Sequence, residues 1–423
     1  MNGQQRKNFW LYSLGRLVSL IGSGIQMIAL PLYILDQTGS GTLMGVFSLL
    51  NMVPSLITAP FAGVLGDRMN RKKIMVNMDF LRGVIILFMA YSAYEGWMNI
   101  TYLFTAQVFI SIIDSVFAGS TGAMLPDLVP MDYLTKANSL NSSISSVSNI
   151  IGPILGGIIY GFGGIKLVFL INGISFALSA VSELFITYKP HFSGKTVITV
   201  KSTFSDIKEG LLFIKGKTGL KELFVFAMFS NFLLAPIFMI VFPYIMRQEI
   251  GFSSQQYGIS ESAFTVGILI GSVLIATVFS KITGKKSMSI GLIAESLIFF
   301  VISVLFFPQI VSGLGGASWT FFIILYINMM VIGLFNAFVN IPINTNLQKM
   351  TPANLRSRVF TVLALIAQGA VPIGAFIFGI LLDLMEGYQL MLFSSVASAL
   401  MVVVFLKVAP DETFDPKPIA EEA

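Results

Sequence analysis

The stretch Gly63-Val64-Leu65-Gly66-Asp67-Arg68-Met69-Asn70-Arg71-Lys72-Lys73 lies between two long apolar runs. It places one acid, four bases and two glycines together in a chain of which only 11% is charged. The acid and the bases can form and break ion pairs, and the glycines let helix backbones come close. The stretch therefore predicts a gate at which two helices slide past each other. A loop whose positive charge only anchors the topology is the alternative.

The rest of the chain has the composition of a membrane protein. Of its 423 residues, 55% are hydrophobic and 38 are Phe, and the mean hydropathy is +0.84. A membrane-spanning helix needs about 20 predominantly apolar residues, and the runs between charged clusters predict twelve such spans. They cover residues 8–35, 42–66, 74–94, 100–123, 137–162, 166–188, 222–247, 256–280, 287–307, 318–341, 359–383 and 388–408.

The basic residues fix the orientation of these spans. With both termini placed in the cytoplasm, all but four of the 26 Lys and Arg residues fall in cytoplasmic segments, in agreement with the positive-inside rule. The remaining four are Lys166, Arg247, Arg16 and Arg82. A missed or additional span would scramble this alternation. The formal net charge of +5 therefore reports topology, and no nucleic-acid partner is expected.

The sequence also excludes several kinds of site. It contains no Cys and one His, which excludes disulfides, thiolate metal sites and a histidine metal cluster. The first apolar run is longer than a signal-peptide core of roughly 7–15 residues and contains Arg16, so we expect it to be the first span. No Walker A motif is present, and no nucleophile, base and orienting residue occur at a recognisable spacing. We therefore expect no enzymatic activity, cofactor or metal ion.

The two halves of the chain repeat each other. Pro31 corresponds to Pro243 and Gly45 to Gly258, at an offset of about half of the chain and at matching places in the order of spans. This repeat predicts an all-α membrane protein with twelve transmembrane helices in two pseudo-symmetric six-helix bundles. The predicted domains are an N-terminal bundle at residues 1–188, a cytoplasmic linker at 189–221 and a C-terminal bundle at 222–423 that ends in a short cytoplasmic tail.

The linker contains an amphipathic pattern. Its apolar residues that share one helical face are Phe204, Ile207, Leu211 and Ile214. Such a pattern is typical of a helix that lies on the membrane surface. We interpret it as a tether between the two bundles, and a regulatory binding site is the alternative.

The fifth predicted span contains the stretch Ser148-Asn149-Ile150-Ile151-Gly152-Pro153-Ile154-Leu155-Gly156-Gly157. Pro153 removes one backbone hydrogen bond and bends the helix, while Gly152 and Gly156 allow a neighbouring helix to come close. The stretch, which ends in Gly156 and Gly157, predicts a pliant packing seam. Ordinary packing of small residues is the alternative.

Asp114 and Glu295 are the most deeply placed acids of the predicted spans. A charge at the centre of a span costs about 2.5–3.5 kcal/mol on insertion scales, so each acid needs a partner or a function. We interpret both as sites that exchange a proton or bind a substrate cation. The alternative is that a buried base such as Arg16 pairs with them and serves folding. Three further acids are expected near the membrane surface: Glu183, Glu261 and Asp383.

Other polar residues of the spans are candidates for the gate or for a central cavity. Asp79 and Arg82 are three residues apart and share a helix face, which predicts an ion pair connected with the gate. Polar side chains in a bilayer must face protein or water. The further candidates for contact with a substrate are Arg16, Gln26, Asn231, Asn336 and Asn340.

These motifs resemble those of the major facilitator superfamily, over essentially the whole chain. The charged stretch is similar to its signature between the second and third helices, and the fifth span is similar to its antiporter signature. Within the superfamily the chain looks most like the multidrug exporter branch of bacterial macrolide-efflux and enterobactin exporters. The resemblance implies a gate formed by Gly63, Gly66, Asp67, Arg68, Arg71 and Lys72, and an antiporter-like helix carrying Gly152, Pro153, Gly156 and Gly157.

One position departs from the family pattern, because Ser111 stands where many relatives have Arg and Asp114 follows it. The resemblance otherwise implies proton-coupled export of amphipathic, drug-like or macrolide-like small molecules by alternating access. It also implies a monomer that is surrounded by lipid in the bacterial inner membrane. The alternatives are a siderophore or lipid exporter or flippase of the same fold, and a receptor or assembly partner that no longer transports.

Overall fold

The computed structural model describes residues 1–122, 124–188, 200–352 and 355–416. All regular structure in these residues is helical. The α-helices are α1 (Gly3–Thr38), α2 (Gly41–Arg68), α3 (Arg71–Tyr94), α4 (Ile100–Thr121), α5 (Leu125–Leu128), α6 (Leu134–Leu184), α7 (Val200–Lys215), α8 (Thr218–Pro236), α9 (Phe242–Tyr244), α10 (Ser254–Ala276), α11 (Gly284–Leu305), α12 (Pro308–Gly313), α13 (Trp319–Lys349), α14 (Arg356–Leu384), α15 (Gly387–Val408) and α16 (Asp411–Phe414).

Eleven stretches of the described chain are long and apolar enough to cross a membrane. One of them, Met131–Leu184, has 54 residues. At ~1.5 Å per residue it is about 80 Å long, more than twice the thickness of the hydrocarbon core. Its helix α6 breaks at Gly164, whose φ of 63° and ψ of −166° are outside the helical region and favour glycine. This stretch therefore crosses twice, and the prediction of twelve transmembrane helices is confirmed.

Two prolines shape the crossing Thr218–Ile250. Proline has no N–H group, and its ring clashes with the carbonyl group four residues earlier. The helix has π-helical turns at Ile237–Val241, which include Met239 four residues before Pro243, and at Ile245–Ile250 after both prolines. The crossing thus continues without interruption through both prolines.

The chain divides into two compact units. The first unit contains Met1–Gln37 and Leu49–Val200, and the second contains Thr38–Ser48 and Lys201–Ala423. The division falls inside α2, so the first turns of this helix belong to the second unit.

The first turns of α2 pack tightly on α14. A Cβ atom on Gly41 would lie 2.7 Å from the carbonyl oxygen of Gly379, and one on Gly45 would lie 2.7 Å from that of Ala375. The exposed carboxylate of Asp383 accepts a hydrogen bond of 2.6 Å from the N–H group of Gly41. A negative charge is stabilising at this end of a helix, where backbone N–H groups are unpaired.

The helix predicted in the linker is α7. Its described apolar residues pack into a hydrophobic cluster of the second unit: Ile207, Leu211 and Ile214. Arg358 at the start of α14 forms ion pairs with Asp206 at 2.9 Å and Glu209 at 2.6 Å on α7. The apolar face that was predicted to lie on the membrane surface is therefore covered by protein. Residues 189–199 and the side chain of Phe204 lie outside the described part of the chain.

The end of the described chain docks on the second unit. Asn346 of α13 donates hydrogen bonds to the carbonyl oxygens of Thr413 at 3.0 Å and Phe414 at 2.6 Å. The Phe414 ring is 1% exposed, and Asp415 accepts a hydrogen bond of 2.9 Å from the N–H group of Gly284 at the start of α11. These contacts fix α16 across the ends of α11 and α13.

Candidate functional site

Charged side chains from four helices lie inside the first unit. Arg16 comes from α1, Asp79 and Arg82 come from α3, Asp114 comes from α4 and Glu183 comes from the end of α6. Asp79 and Glu183 are each only 2% exposed. Charges removed from water in this way need partners. These three acids and two bases lie in the interior of the unit, on four different helices. Contacts between helices therefore determine which of them form ion pairs.

Arg82 forms an ion pair with Asp114 of the neighbouring helix. Its guanidinium group also lies over the ring of Phe176, 4.2 Å from the ring centroid. A planar guanidinium group can stack on a ring and pair with a carboxylate at the same time. The predicted ion pair between Asp79 and Arg82 is therefore wrong. Arg16, the predicted alternative partner of Asp114, bonds to the Tyr12 side chain instead.

The Ser179 hydroxyl lies between Asp79 and Glu183. It donates a long hydrogen bond of 3.4 Å to Oε1 of Glu183 and lies next to the Asp79 carboxyl group. A hydroxyl group has one proton to donate, so it can satisfy both carboxyl groups only when one of them carries a proton itself. The other oxygens, Asp79 Oδ2 and Glu183 Oε2, are buried without a hydrogen-bond partner. Glu183 lies one residue before the end of α6 and is buried in protein there, so its expected place near the membrane surface stays a prediction.

The described part of the predicted gate lies at one end of the first unit. Arg71 pairs with Asp127 at 3.1 Å, and Nζ of Lys72 donates a hydrogen bond of 2.8 Å to the carbonyl oxygen of Leu184. The Tyr188 hydroxyl donates to the same Asp127 at 2.8 Å. Partial burial, followed by this hydrogen bond and the charge of Asp127, raises the pKa of Tyr188 to about 12. The side chains outside the described part of the chain include those of Gly63, Gly66, Asp67 and Arg68.

Helix α6 crosses α1 at the predicted seam. A Cβ atom on Gly152 would lie 2.8 Å from the Cα atom of Gly24, and one on Gly156 would lie 2.7 Å from the carbonyl oxygen of Ile25. Neither position can accept a side chain unless a backbone moves. Two further residues of the stretch are buried in the same helix: Pro153 and Gly157.

Gln26 is also engaged inside the first unit. Its Oε1 atom accepts a hydrogen bond from the Asn172 side chain of α6, and the two residues are 5% and 0% exposed. Because both amide groups are buried against each other, Gln26 holds α1 to α6.

Ser111 takes part in the backbone hydrogen bonding of α2. Its hydroxyl donates to the carbonyl oxygen of Asn51 at 2.6 Å and accepts from the N–H group of Ser55 at 3.0 Å. These two backbone groups would bond to each other in an uninterrupted helix. Ser111 is therefore inserted into the helix next to Pro54, which already lacks a donor. A single sequence gives no signal for such an insertion.

The second unit encloses a cavity of about 560 Å³, lined by α8, α10, α11, α13, α14 and α15. Two acids lie in its wall, Glu261 of α10 and Glu295 of α11. Glu261, which was expected near the outer membrane surface, thus faces this cavity. Three predicted substrate contacts lie in the same wall: Asn231, Asn336 and Asn340.

Three amide side chains on α13 form a row of hydrogen bonds that ends next to Glu295. Asn344 donates a hydrogen bond of 2.9 Å to the backbone carbonyl of Asn340, and the Asn340 amide donates one of 2.8 Å to Oδ1 of Asn336. The Asn336 side chain in turn lies next to the Glu295 carboxyl group. Because Oδ1 of Asn336 already accepts from Asn340, the Asn336 NH₂ group is the one that faces the carboxyl group. Glu295 is thus held by an amide and not by a base.

The sequence profile of the Major Facilitator Superfamily matches residues 12–235 and 223–423, which together cover almost the whole chain. The chain belongs to this superfamily. Macrolide efflux protein A of Streptococcus pyogenes is 27% identical to it over 381 residues, which are 89% of each chain. The multidrug efflux pump Tap of Mycobacterium tuberculosis (strain CDC 1551 / Oshkosh) is 23% identical over 393 residues, which are 90% of this chain and 89% of the pump.

Solved structures agree with the assignment of the fold. The D-xylose-proton symporter has a TM-score of 0.71 at 16% identity. The alignment covers 99% of this chain and 100% of the symporter chain. The nucleoside transporter NupG has a TM-score of 0.72 at 16% identity. This alignment covers 96% of this chain and 99% of the NupG chain. At such identities the likeness concerns the fold alone. The chain is a multi-pass membrane transporter, as its motifs predicted.

Proposed function

We propose that this transporter exports amphipathic small molecules of the macrolide and multidrug type in exchange for protons. The substrate class is supported by the two efflux relatives, which align with about nine-tenths of the chain. The observation that carries the coupling to protons is the arrangement of Asp79, Ser179 and Glu183. Two buried acids that share one hydroxyl provide a place to hold and release a single proton.

In this proposal the trio holds one proton, and small shifts of the side chains pass it from one acid to the other through Ser179. When Asp79 carries the proton, it donates to Ser179, which donates to Glu183. When Glu183 carries the proton, both hydrogen bonds reverse direction. The Arg82–Asp114 ion pair and Arg16 come from the neighbouring parts of α3, α4 and α1. Movement of these helices changes the charge beside the trio, so that protonation and substrate binding favour different arrangements of the bundle.

The charged stretch after α2 supplies the gate in this proposal. Arg71 and Lys72 hold the start of α3 to Asp127 and to the end of α6. Asp67 and Arg68 join them by the resemblance to the family signature. These contacts lie at the cytoplasmic end of the first bundle if both termini are cytoplasmic. The protein then works as a lipid-surrounded monomer in the bacterial inner membrane.

Flux through proteoliposomes tests the proposal. The purified protein is reconstituted, and uptake of a radiolabelled macrolide is followed with a pH gradient imposed in either direction. We expect the gradient to drive accumulation. Asp79→Asn and Glu183→Gln should each reduce gradient-driven accumulation by at least roughly tenfold, an effect on the scale of one lost buried interaction. Exchange of labelled for unlabelled macrolide, which needs no net proton movement, should persist.

Matched variants and alternative results make the test decisive. Glu95→Gln is the control, since it neutralises an exposed acid of the same unit, and Asp114→Asn tests the coupling role assigned to that residue from sequence. Unchanged pH dependence in both trio variants would contradict the coupling. Binding without any flux would identify a receptor. Flux of a siderophore or a lipid, with none of the macrolide, would identify the alternative exporter.

A further inference from the structure

Helix α2 is attached to different units at its two ends. Its first turns, residues 41–48, belong to the second unit. There Asp383 of α14 accepts hydrogen bonds from the N–H groups of Gly41 at 2.6 Å and Thr42 at 3.1 Å. The rest of the helix, from Leu49 onwards, belongs to the first unit. Any movement of one unit against the other must therefore be taken up within α2 or at one of its two attachments.

Two successive backbone bonds are interrupted in the turn just after this boundary. Pro54 has no N–H group, so the carbonyl group of Leu50 has no helical donor. The next pair consists of the Asn51 carbonyl group and the Ser55 N–H group. Ser111 of α4 donates to the first at 2.6 Å and accepts from the second at 3.0 Å. Helices bend where their backbone bonds are interrupted in this way.

Side-chain hydroxyl groups also pair the carbonyl groups at the end of this turn. Thr58 donates to the carbonyl oxygen of Pro54 at 2.6 Å, and Ser115 of α4 donates to that of Ser55 at 3.0 Å. An unpaired backbone group is costly in lipid, and a bond from a Ser or Thr of the same helix favours a bend. A hydroxyl group can rotate to follow a carbonyl group that moves. The turn can therefore change its bend while these carbonyl groups stay paired.

One face of α4 supports this turn and the part of α2 that follows it. Ser111, Ser115 and Gly119 are spaced four residues apart, so they lie one above another on the same side of the helix. The two serines are 1% and 5% exposed. A Cβ atom on Gly119 would lie 2.9 Å from the carbonyl carbon of Ala62 in α2. The part of α2 after the turn is thus packed on α4, while the part before it is bonded to α14.

We propose that residues 51–55 form a hinge of α2 and that Ser111 is the positioning residue that keeps this hinge open. The Ser111 hydroxyl separates the Asn51 carbonyl group from the Ser55 N–H group. The first turns of α2 can then tilt with α14 while the rest of the helix stays on α4. Without the hydroxyl, the two backbone groups bond to each other and the helix stiffens. The inference goes beyond the proposed export, because the hinge serves the movement of a carrier whatever its substrate or coupled ion.

Distances between two spin labels test the hinge. The chain has no Cys, so labels can be attached to Leu43→Cys in the first turns of α2 and Glu95→Cys at the end of α3, in the full-length protein in lipid nanodiscs. We expect two populations of distances in the otherwise unaltered protein. Ser111→Ala should shift their ratio at least about tenfold towards one of them, which is the scale of one hydrogen bond. Ser111→Thr keeps a hydroxyl group and should retain both populations.

Pro54→Ala is an independent route to the same stiffening. Alanine supplies the N–H group that the Leu50 carbonyl group lacks. This variant should shift the populations in the same direction as Ser111→Ala and should unfold at a higher temperature. A residue that only supported the fold would instead lower the unfolding temperature and leave the populations unchanged.

Ser272→Ala is the matched control. Ser272 of α10 bonds to the Ile268 carbonyl group of its own helix, and its removal should leave the populations as they are. The hinge would be overturned by a single population in the unaltered protein, or by unchanged populations in folded Ser111→Ala and Pro54→Ala. An equal shift in Ser111→Ala and Ser111→Thr would also overturn it. None of these measurements uses a transported substrate, so the hinge and the proposed export are tested separately.

Discussion

Arg82 and Asp79 are three residues apart on one helix face, yet Arg82 pairs with Asp114 on α4. The guanidinium group gains both a carboxylate and the ring of Phe176 in this position. Asp79 lies next to Ser179 instead, whose hydroxyl bonds to Glu183. The charge of Arg82 is therefore neutralised between two helices, and removal of one partner leaves the other in an apolar surrounding.

We expect Arg82→Met to destabilise the protein by about 2–3 kcal/mol, because Asp114 loses its partner. The double variant Arg82→Met with Asp114→Leu should recover most of this loss, since no charge is then unpaired. Unfolding titrations in mixed micelles measure both. Purely additive losses would contradict the pair.

Tyr188 makes stability depend on pH in the alkaline range. Its folded pKa of about 12 is above its ordinary value of 10.0, because burial and Asp127 disfavour the phenolate. The folded state thus holds the proton more tightly than the unfolded state. The resulting stabilisation is complete below about pH 10 and is lost as the pH rises towards about 12.

Tyr188→Phe should therefore lower the free energy of unfolding by an amount that is constant up to about pH 9.5 and shrinks above it. Unfolding titrations of the variant and the unaltered protein between about pH 7 and about pH 11.5 measure this difference. Asp127→Asn removes the charge that opposes ionisation and should reduce the same pH dependence. A difference that stays constant over the whole range would refute the role of the hydrogen bond to Asp127.

At the scale of the element, the crossing of α1 and α6 depends on glycine. Gly152→Ala would place a Cβ atom 2.8 Å from the Cα atom of Gly24, and neither backbone can yield without moving its helix. We expect a loss of about 1–3 kcal/mol, the usual effect of overpacking, together with reduced transport. Gly369→Ala is the matched control. Nothing lies within 4 Å of a Cβ atom at Gly369 in α14, so alanine should be neutral or stabilise by up to about 1 kcal/mol.

Thermal unfolding and flux of the two alanine variants decide the question. A Gly152→Ala protein that is as stable and as active as the Gly369→Ala protein would show that the helices can separate at no cost. The seam could then not be a constraint on their movement.

The elements themselves follow closely from the sequence. Apolar length predicted the crossings, and α6 breaks at Gly164, between the predicted spans 137–162 and 166–188. The amphipathic pattern predicted a helix that overlaps α7 but misplaced its apolar face. Periodicity identifies which face of a helix is apolar. It does not show whether that face packs against lipid or against protein, because both are apolar surroundings.

At the scale of the whole molecule, the orientation in the membrane is open to a direct test. The chain has no Cys, so single cysteines can be introduced without background. Glu95→Cys lies between α3 and α4 in a segment predicted to be outside, and Lys281→Cys lies between α10 and α11 in one predicted to be inside. Both positions are exposed.

An impermeant maleimide should label Glu95→Cys in intact cells and Lys281→Cys only after the cells are permeabilised. The reverse pattern would place both termini outside and would assign the Arg71 gate to the opposite membrane face. Equal labelling of the two positions in intact cells would contradict the predicted number of crossings between them.

The sequence alone determined the membrane class, the twelve crossings and the superfamily. These follow from the bilayer, which demands a fixed length of apolar helix and places basic loops on one side. The motifs after α2 and in α6 identified the family because they are local stretches of sequence. Asp114 and Glu295 were noticed because any charge in an apolar run is conspicuous.

Only the tertiary structure decided what each polar group contacts. It paired Arg82 with Asp114, joined Asp79 and Glu183 through Ser179, and inserted Ser111 into α2. It also placed Glu261 and Glu295 in the wall of one cavity. The physical reason is that composition sets the length of a helix in lipid, while its rotation and its neighbours depend on packing between small residues far apart in the chain.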